Sequence, residues 1–219
     1  AGLGWWQVER LQWKNRLLAE LEAEYAKDAG KVRLDRSDIR AVATDAAMLR
    51  RGSITGRYLH DREIRLRAAY YKGEAGLDIL TPFQLKGEET IILVNRGWVP
   101  PDKAAAEARP KSRIRGTMSI TGTLKRPDGH VIGTPANKPD RGRWYHIAPE
   151  AMAAKQGLVH VAPVYFRVTQ EPVAAQYPKA RTMRPRPHNR HLSYAVFWFA
   201  MAGILLVIYY LRFLKHKRA

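Results

Sequence analysis

LDILTPFQLKGEETIILVNRGWVP, residues 77–100, is the stretch on which the fold of this chain turns. Two apolar runs, Leu77–Leu85 and Thr90–Val99, flank Lys86-Gly87-Glu88-Glu89, and together they predict a hairpin. Ile91-Ile92-Leu93-Val94 leaves no polar residue for a solvent face, so the second strand is expected to be central and covered on both sides. Asn95-Arg96-Gly97-Trp98 then breaks the run. A glycine inside a strand marks a bulge or the close approach of another backbone. Two readings of the break stand: a structural bulge with Trp98 in the core and Arg96 stacked or paired, or a partner-binding edge made by Asn95, Arg96, Gly97 and Trp98.

Outward from the hairpin the strand signal continues. Gly52–His60 is β-branched and aromatic, interrupted by Gly56, and Glu63–Tyr71 alternates charged and apolar residues as a half-buried strand does. Gly116–Lys125 is a further strand, stopped by Pro127-Asp128-Gly129; a Gly- and Pro-rich loop, 133–142, leads to a strand at Arg143–Ile147. Pro149–Gly157 carries Pro at its first turn and Gly at its end, the signature of a short helix, and Leu158–Gln170 closes the domain as a long strand. Seven or so short strands in succession imply an α+β domain built on a mainly antiparallel sheet or small barrel. In front of it, Val8–Lys27 repeats its apolar residues at three, four and seven, predicting a helix that stops by Gly30. Between them, a polar linker is expected to hold a short helix over Ser37–Met48 with Ser37 as its N-cap.

The other end of the chain is of a different kind. Leu192–Leu211, LSYAVFWFAMAGILLVIYYL, holds no charge, and about twenty residues at 1.5 Å rise match the roughly 30 Å of a bilayer's hydrocarbon core. Tyr194, Trp198, Tyr209 and Tyr210 stand towards its ends, where interfacial aromatics collect. This predicts a transmembrane helix. The formal net charge is +18, and from Gln176 onward the chain carries nine Lys/Arg and no Asp or Glu. Half of the excess therefore flanks the apolar segment, where it suits anionic headgroups better than nucleic acid. Basic residues stand on both sides, so charge does not decide orientation. At the start, Trp5-Trp6 suits either the end of a truncated membrane helix or a soluble amphipathic helix packing its tryptophans.

The chemistry is sparse. The 219 residues include no cysteine, which removes disulfides, zinc–cysteine sites, iron–sulfur ligation and thiol nucleophiles. Nucleotide-binding glycine loops, zincin motifs and nucleophile elbows are missing from the sequence. The seven histidines, 60, 130, 146, 160, 188, 191 and 216, do not fall at metal-ligand spacing. His191 stands apart, because it immediately precedes the apolar span beside Arg190, with Tyr194 and Trp198 following at three and seven. An imidazole there is placed to ligate a metal or a haem iron, and nearby arginines to meet propionates; the plainer reading is a capping or snorkelling histidine with no ligand.

In order along the chain, GWWQVERLQWKNRLL (4–18), LTPFQL (80–85), VNRGWVP (94–100), RWYHI (143–147), PVYF (163–166) and HLSYAVFWFAMAGILLVIYY (191–210) resemble the Surfeit-locus-one family of cytochrome c oxidase assembly proteins. The resemblance covers nearly the whole chain. It implies two membrane helices with both termini on the cytoplasmic or matrix side of a bacterial or mitochondrial inner membrane, and a globular domain on the periplasmic or intermembrane-space side. Under it, residues 1–30 are the helix following a missing or truncated first membrane helix, 31–171 the mostly β extramembrane domain, 172–191 a Pro/Arg-rich tether, 192–211 the membrane helix and 212–219 a basic tail. The implied function is non-enzymatic assistance to oxidase assembly, delivering haem a to subunit I or helping that subunit mature. Haem a is then transient cargo, with His191 as ligand to its iron, Tyr194 and Trp198 lining it, and Arg190 at its propionates. Implied partners are subunit I, a haem a synthase and membrane lipid, without nucleic acid. The rival within the resemblance is a haem-independent membrane chaperone that binds and stabilises subunit I.

Overall fold

A computed structural model describes residues 2–45, 48–130, 133–173, 175–181, 191–210 and 212. Two compact units emerge: Glu24–Met183, and a second made of Ala1–Ala23 with Arg184–Ala219.

The first unit is organised by a six-stranded sheet: β1 (Leu49–Tyr58), β2 (Ile64–Tyr71), β3 (Glu74–Leu85), β4 (Ile91–Val99), β5 (Met118–Lys125) and β6 (Val161–Gln170). Their spatial order is β1-β5-β6-β4-β3-β2, and β1 also pairs with β3. Five strands therefore close on one another and β2 is laid outside, so the sheet has the barrel-like character expected of it. The closing pairs are Gly56↔Leu85, Arg57↔Gln84 and Tyr58↔Phe83. Gly56 makes the approach possible, since a Cβ there would run into the Gln84 carbonyl oxygen. Closure removes strand edges that would otherwise pair with other chains.

β3 and β4 form the expected hairpin, and every residue of β4 is buried. The reason is its place between β3 and β6. Ile92 and Val94 join the main core with Ile54, Phe83, Ile120 and Phe166. Leu93 turns to a second core with Ile64, Leu80, Trp144, Met152 and Tyr165. A residue packed on either face needs an apolar side chain whatever its parity, which explains the unbroken IILV run.

Several expectations are corrected. Among the described residues the sheet has six strands and not seven; it is mainly antiparallel as expected, with β6 running parallel to β4. Arg143–Ile147 is not a ladder strand. Trp144 makes only an isolated bridge to Leu66. Asn137 satisfies the neighbouring backbone instead, accepting from the N–H groups of Tyr145 (2.7 Å) and His146 (3.2 Å) and donating to the His146 carbonyl (3.0 Å). The short helix after the linker, α2 (Arg36–Thr44), is capped by Asp35 and not by Ser37. The Asp35 carboxylate accepts from the Ser37 and Asp38 N–H groups at 2.7 and 3.3 Å, and Asp38 returns the bond to the Asp35 N–H, a reciprocal capping box. The Ser37 hydroxyl, donating to the same carboxylate at 2.6 Å, and then the two N–H groups hold the Asp35 carboxyl below its ordinary value.

Helix α3 (Pro149–Gln156) begins at Pro149 and ends on left-handed Gly157, as read from sequence. The first helix, α1 (Gly2–Ala26), is longer than its periodic stretch. Its end belongs to the β unit, where Glu24 accepts from the Arg51 N–H at 2.7 Å and from Lys27 at 2.6 Å. In the other unit, Trp5, Trp6 and Trp13 are exposed, Trp5 donating to Glu9 at 3.0 Å. The final helix, α4, runs from His191 to Tyr209.

Candidate functional site

The break in β4 organises the densest set of buried polar groups in the described residues. In the β3–β4 ladder Ile79 opposes Gly97 while Leu80 opposes Asn95, so Arg96 is the extra residue of a bulge. Gly97 takes φ +115, which a side chain would strain, and a Cβ there would run into the Lys179 carbonyl oxygen. Both causes suggested by a glycine inside a strand are therefore present together.

Arg96 is 1% exposed. Its Nε and Nη2 donate to the two carboxylate oxygens of Glu171 at 2.7 and 2.8 Å, a two-pronged pairing. The guanidinium lies 4.5 Å from the centroid of the Tyr58 ring, and the Tyr58 hydroxyl donates to Glu171 Oε1 at 2.7 Å. Burial alone would lower the arginine's pKa, but the hydrogen bonds and charge of Glu171 outweigh it and raise it. Burial and then the Glu171 charge push the Tyr58 phenol well above its ordinary value. Neither group is poised to exchange a proton near neutrality. Next to them, His60 Nε2 bonds the Ile114 carbonyl at 2.8 Å, which assigns it the proton. Burial pushes this imidazole down, the charges of Arg96 and Arg113 adding to the effect.

Asn95 works on the other flank. Its Nδ2 donates to Asp78 Oδ2 at 3.1 Å and its Oδ1 accepts from the Gly97 N–H at 2.9 Å, so one side chain fixes the bulge and orients an acid. Asp78 also accepts from Arg181, whose other guanidinium nitrogen donates to the Tyr70 carbonyl at 3.1 Å. Trp98, 1% exposed, stacks on Tyr71 with centroids 5.4 Å apart and planes at 24°. Its main chain exchanges two hydrogen bonds with Lys179, at 3.0 and 2.8 Å.

Of the two readings of the break, the bulge is present: Asn95, Arg96 and Trp98 are buried, and acids and aromatics of the same unit meet their side chains. Sequence reading missed Glu171, Asp78, Arg181 and Tyr58. The available signal was weak: Glu171 follows the last strand at the head of an otherwise basic tether, and Asp78 is a lone acid in an apolar strand.

Of the proposed haem-handling residues, Arg190 lies outside the described residues. His191 opens α4, with Tyr194 and Trp198 three and seven positions along the same helix, a spacing that shares one face. The side chains of His191 and Tyr194 lie outside the described residues; Trp198 is partly exposed beside Phe197, the rings 5.7 Å apart in an edge arrangement. Val196, Ile204, Leu205, Leu206, Val207 and Ile208 are each more than half exposed. Among the described residues no helix is long and apolar enough to cross a membrane, and no group of three metal-binding side chains is found.

Comparison with known proteins places the chain. The sequence model of the SURF1 family matches residues 1–203. A SURF1-like protein of Monosiga brevicollis is 30% identical over 99% of this chain and 83% of its own length. Surfeit locus protein 1 of Homo sapiens is 27% identical over 98% of this chain and 74% of its own, and a SURF1-like protein of Drosophila melanogaster is 30% identical over 98% and 74%.

Proposed function

The chain belongs to the SURF1 family, a family of cytochrome oxidase assembly factors, and from that premise we propose that it is a non-enzymatic, membrane-anchored factor that handles haem a for oxidase subunit I. The observation that carries the proposal is α4: a continuous helix headed by His191 whose apolar side chains from Val196 onward are mostly exposed. Uncovered apolar surface of that extent calls for lipid or protein to bury it, and the apolar sequence of 192–211 suits lipid. In this reading the apolar segment 192–211 is set in the inner membrane, with the β unit on the periplasmic or intermembrane-space side and a haem a synthase as the neighbour that supplies the cargo.

The residues at the head of α4 fit haem by their chemistry. An imidazole is a proper axial ligand for haem iron, Tyr194 and Trp198 offer aromatic surface on the same helical face, and Arg190 offers a fork for a propionate. His191 holds the cargo and the aromatics exclude water from it. The buried bulge residues have no contact role towards the cargo; they belong to the scaffold.

A visible spectrum of the detergent-purified protein, co-expressed with haem a synthesis, tests this. The wild type is expected to carry a haem a band that His191→Ala loses, with an unchanged circular-dichroism spectrum. A colourless wild type removes the haem role and leaves the haem-independent chaperone for subunit I; a mutant that keeps the band removes His191 as the ligand.

A further inference from the structure

We infer that the Asn95–Trp98 bulge is a clasp for the chain's own tether, and that the clasp serves the assembly role by shortening the leash between the β unit and α4. β6 ends at Gln170 and α4 begins at His191. Each residue of the bulge meets one feature of the stretch that follows β6. Arg96 takes both carboxylate oxygens of Glu171. Gly97 leaves room for the Lys179 carbonyl, Trp98 trades two main-chain hydrogen bonds with Lys179, and Asn95 holds the Asp78 carboxylate that receives Arg181.

Core packing alone explains a buried Trp98. It does not explain a buried arginine spent on the first residue after the last strand. Nor does it explain a positive-φ glycine pressed against a backbone eighty positions away. β6 pairs with β4 only as far as Asn95, so the second half of β4 would present an open edge on that side, and Lys179 covers it.

The consequence is one of length. At most about 3.5 Å per residue, the chain from Gln170 to His191 could span roughly 70 Å, and from Arg181 to His191 only about 35 Å. The effective concentration of one linked module at the other's partner falls about as the −3/2 power of linker length. Releasing the clasp therefore cuts it about threefold. This step rests on the proposed assembly function, in which the β unit and α4 act on one partner.

Hydrogen exchange on the full-length protein in detergent tests the clasp, and oxidase content tests its use. The Lys179 amide is expected to be protected in the wild type. Arg181→Ala speeds its exchange about ten- to a hundredfold, the effect of losing one charge-assisted hydrogen bond, while the Ile92 and Leu93 amides keep their protection; Arg181→Lys restores part of it. Gly97→Ala gives the same release from the strand side. In cells lacking the native gene, Arg181→Ala is expected to lower oxidase content towards about a third of the wild-type level, the limit set by full release, and Arg181→Lys to lower it less. Unprotected Lys179 in the wild type, or exchange unmoved by Arg181→Ala, overturns the clasp. Faster exchange with oxidase at the wild-type level overturns its use. If cells without any copy of the gene assemble oxidase normally, the assembly function fails, while the exchange data still judge the clasp.

Discussion

Replacing Glu171 with glutamine removes one charge and almost no volume, and so isolates the electrostatics of the bulge. In the wild type the Arg96 side chain is fully buried, and the Glu171 carboxylate takes three hydrogen bonds, two from Arg96 and one from Tyr58. Glutamine's amide oxygen can accept from Arg96, but its NH2 faces donors, and the guanidinium is left inside without a counter-charge. Breaking a buried pair from one side costs about 3–5 kcal/mol, and the surviving hydrogen bond puts this case near 3. For a unit of roughly 160 residues each kcal/mol lowers the melting temperature by about 2–4 °C, so Glu171→Gln should melt about 6–12 °C early. Asp61→Asn, which breaks a solvent-exposed pair with Arg113, should move it by less than about 2 °C. Circular-dichroism melts of the full-length protein in one detergent supply the comparison. The double replacement Arg96→Met/Glu171→Met should recover much of the loss, because it removes the stranded charge and keeps the volume. The reasoning is refuted if Glu171→Gln melts with the wild type, or if the double variant is worse than the single.

Gly56→Ala drives a methyl into the Gln84 carbonyl where the barrel closes, and should cost about 1–3 kcal/mol, whereas Gly30→Ala, whose Cβ would make only an ordinary contact with the Asp28 carboxylate at 3.4 Å, should cost less; urea midpoints of the two variants decide. His60 has a folded-state pKa below its ordinary value of about 6.5 because it is buried, with Arg96 and Arg113 adding to the effect, so the unfolded chain binds more protons near neutrality. Stability is then full above the ordinary value and lost as pH falls below it. Melting temperature should decline from pH 7.5 to pH 5.5 more steeply in the wild type than in His60→Asn, and parallel slopes would show that His60 is not the cause. Trp98→Ala empties a site between Tyr71 and Gly76 and should cost about 3–5 kcal/mol, read from the same urea midpoints.

What could be read in the chain followed the range of each physical signal. The β3–β4 hairpin was legible because its turn and its period are local, and β4's central place because an IILV run has nowhere else to go. Helix α3 announced both ends through Pro149 and Gly157. The parallel pairing of β4 with β6 joins residues some seventy apart, and no local pattern encodes it. Arg143–Ile147 resembled a strand by composition, but one asparagine, Asn137, intercepts its backbone. Ser37 and Asp35 are both good caps, and the choice fell to Asp35 once Asp38 completed the box. The bulge at Gly97 was foreseen, but its counterparts Glu171, Lys179 and Arg181 were not, because their spacing from it carries no period. Of the stretch led by His191, the structure bears out the helix that begins there, since helical spacing is local.

The most direct measurement is the amount of assembled haem–copper oxidase in membranes of cells lacking this gene, with and without the wild-type copy restored. A service to oxidase assembly predicts a low content in the absence of the gene and recovery when it is returned. An oxidase content that does not change between the two would contradict it.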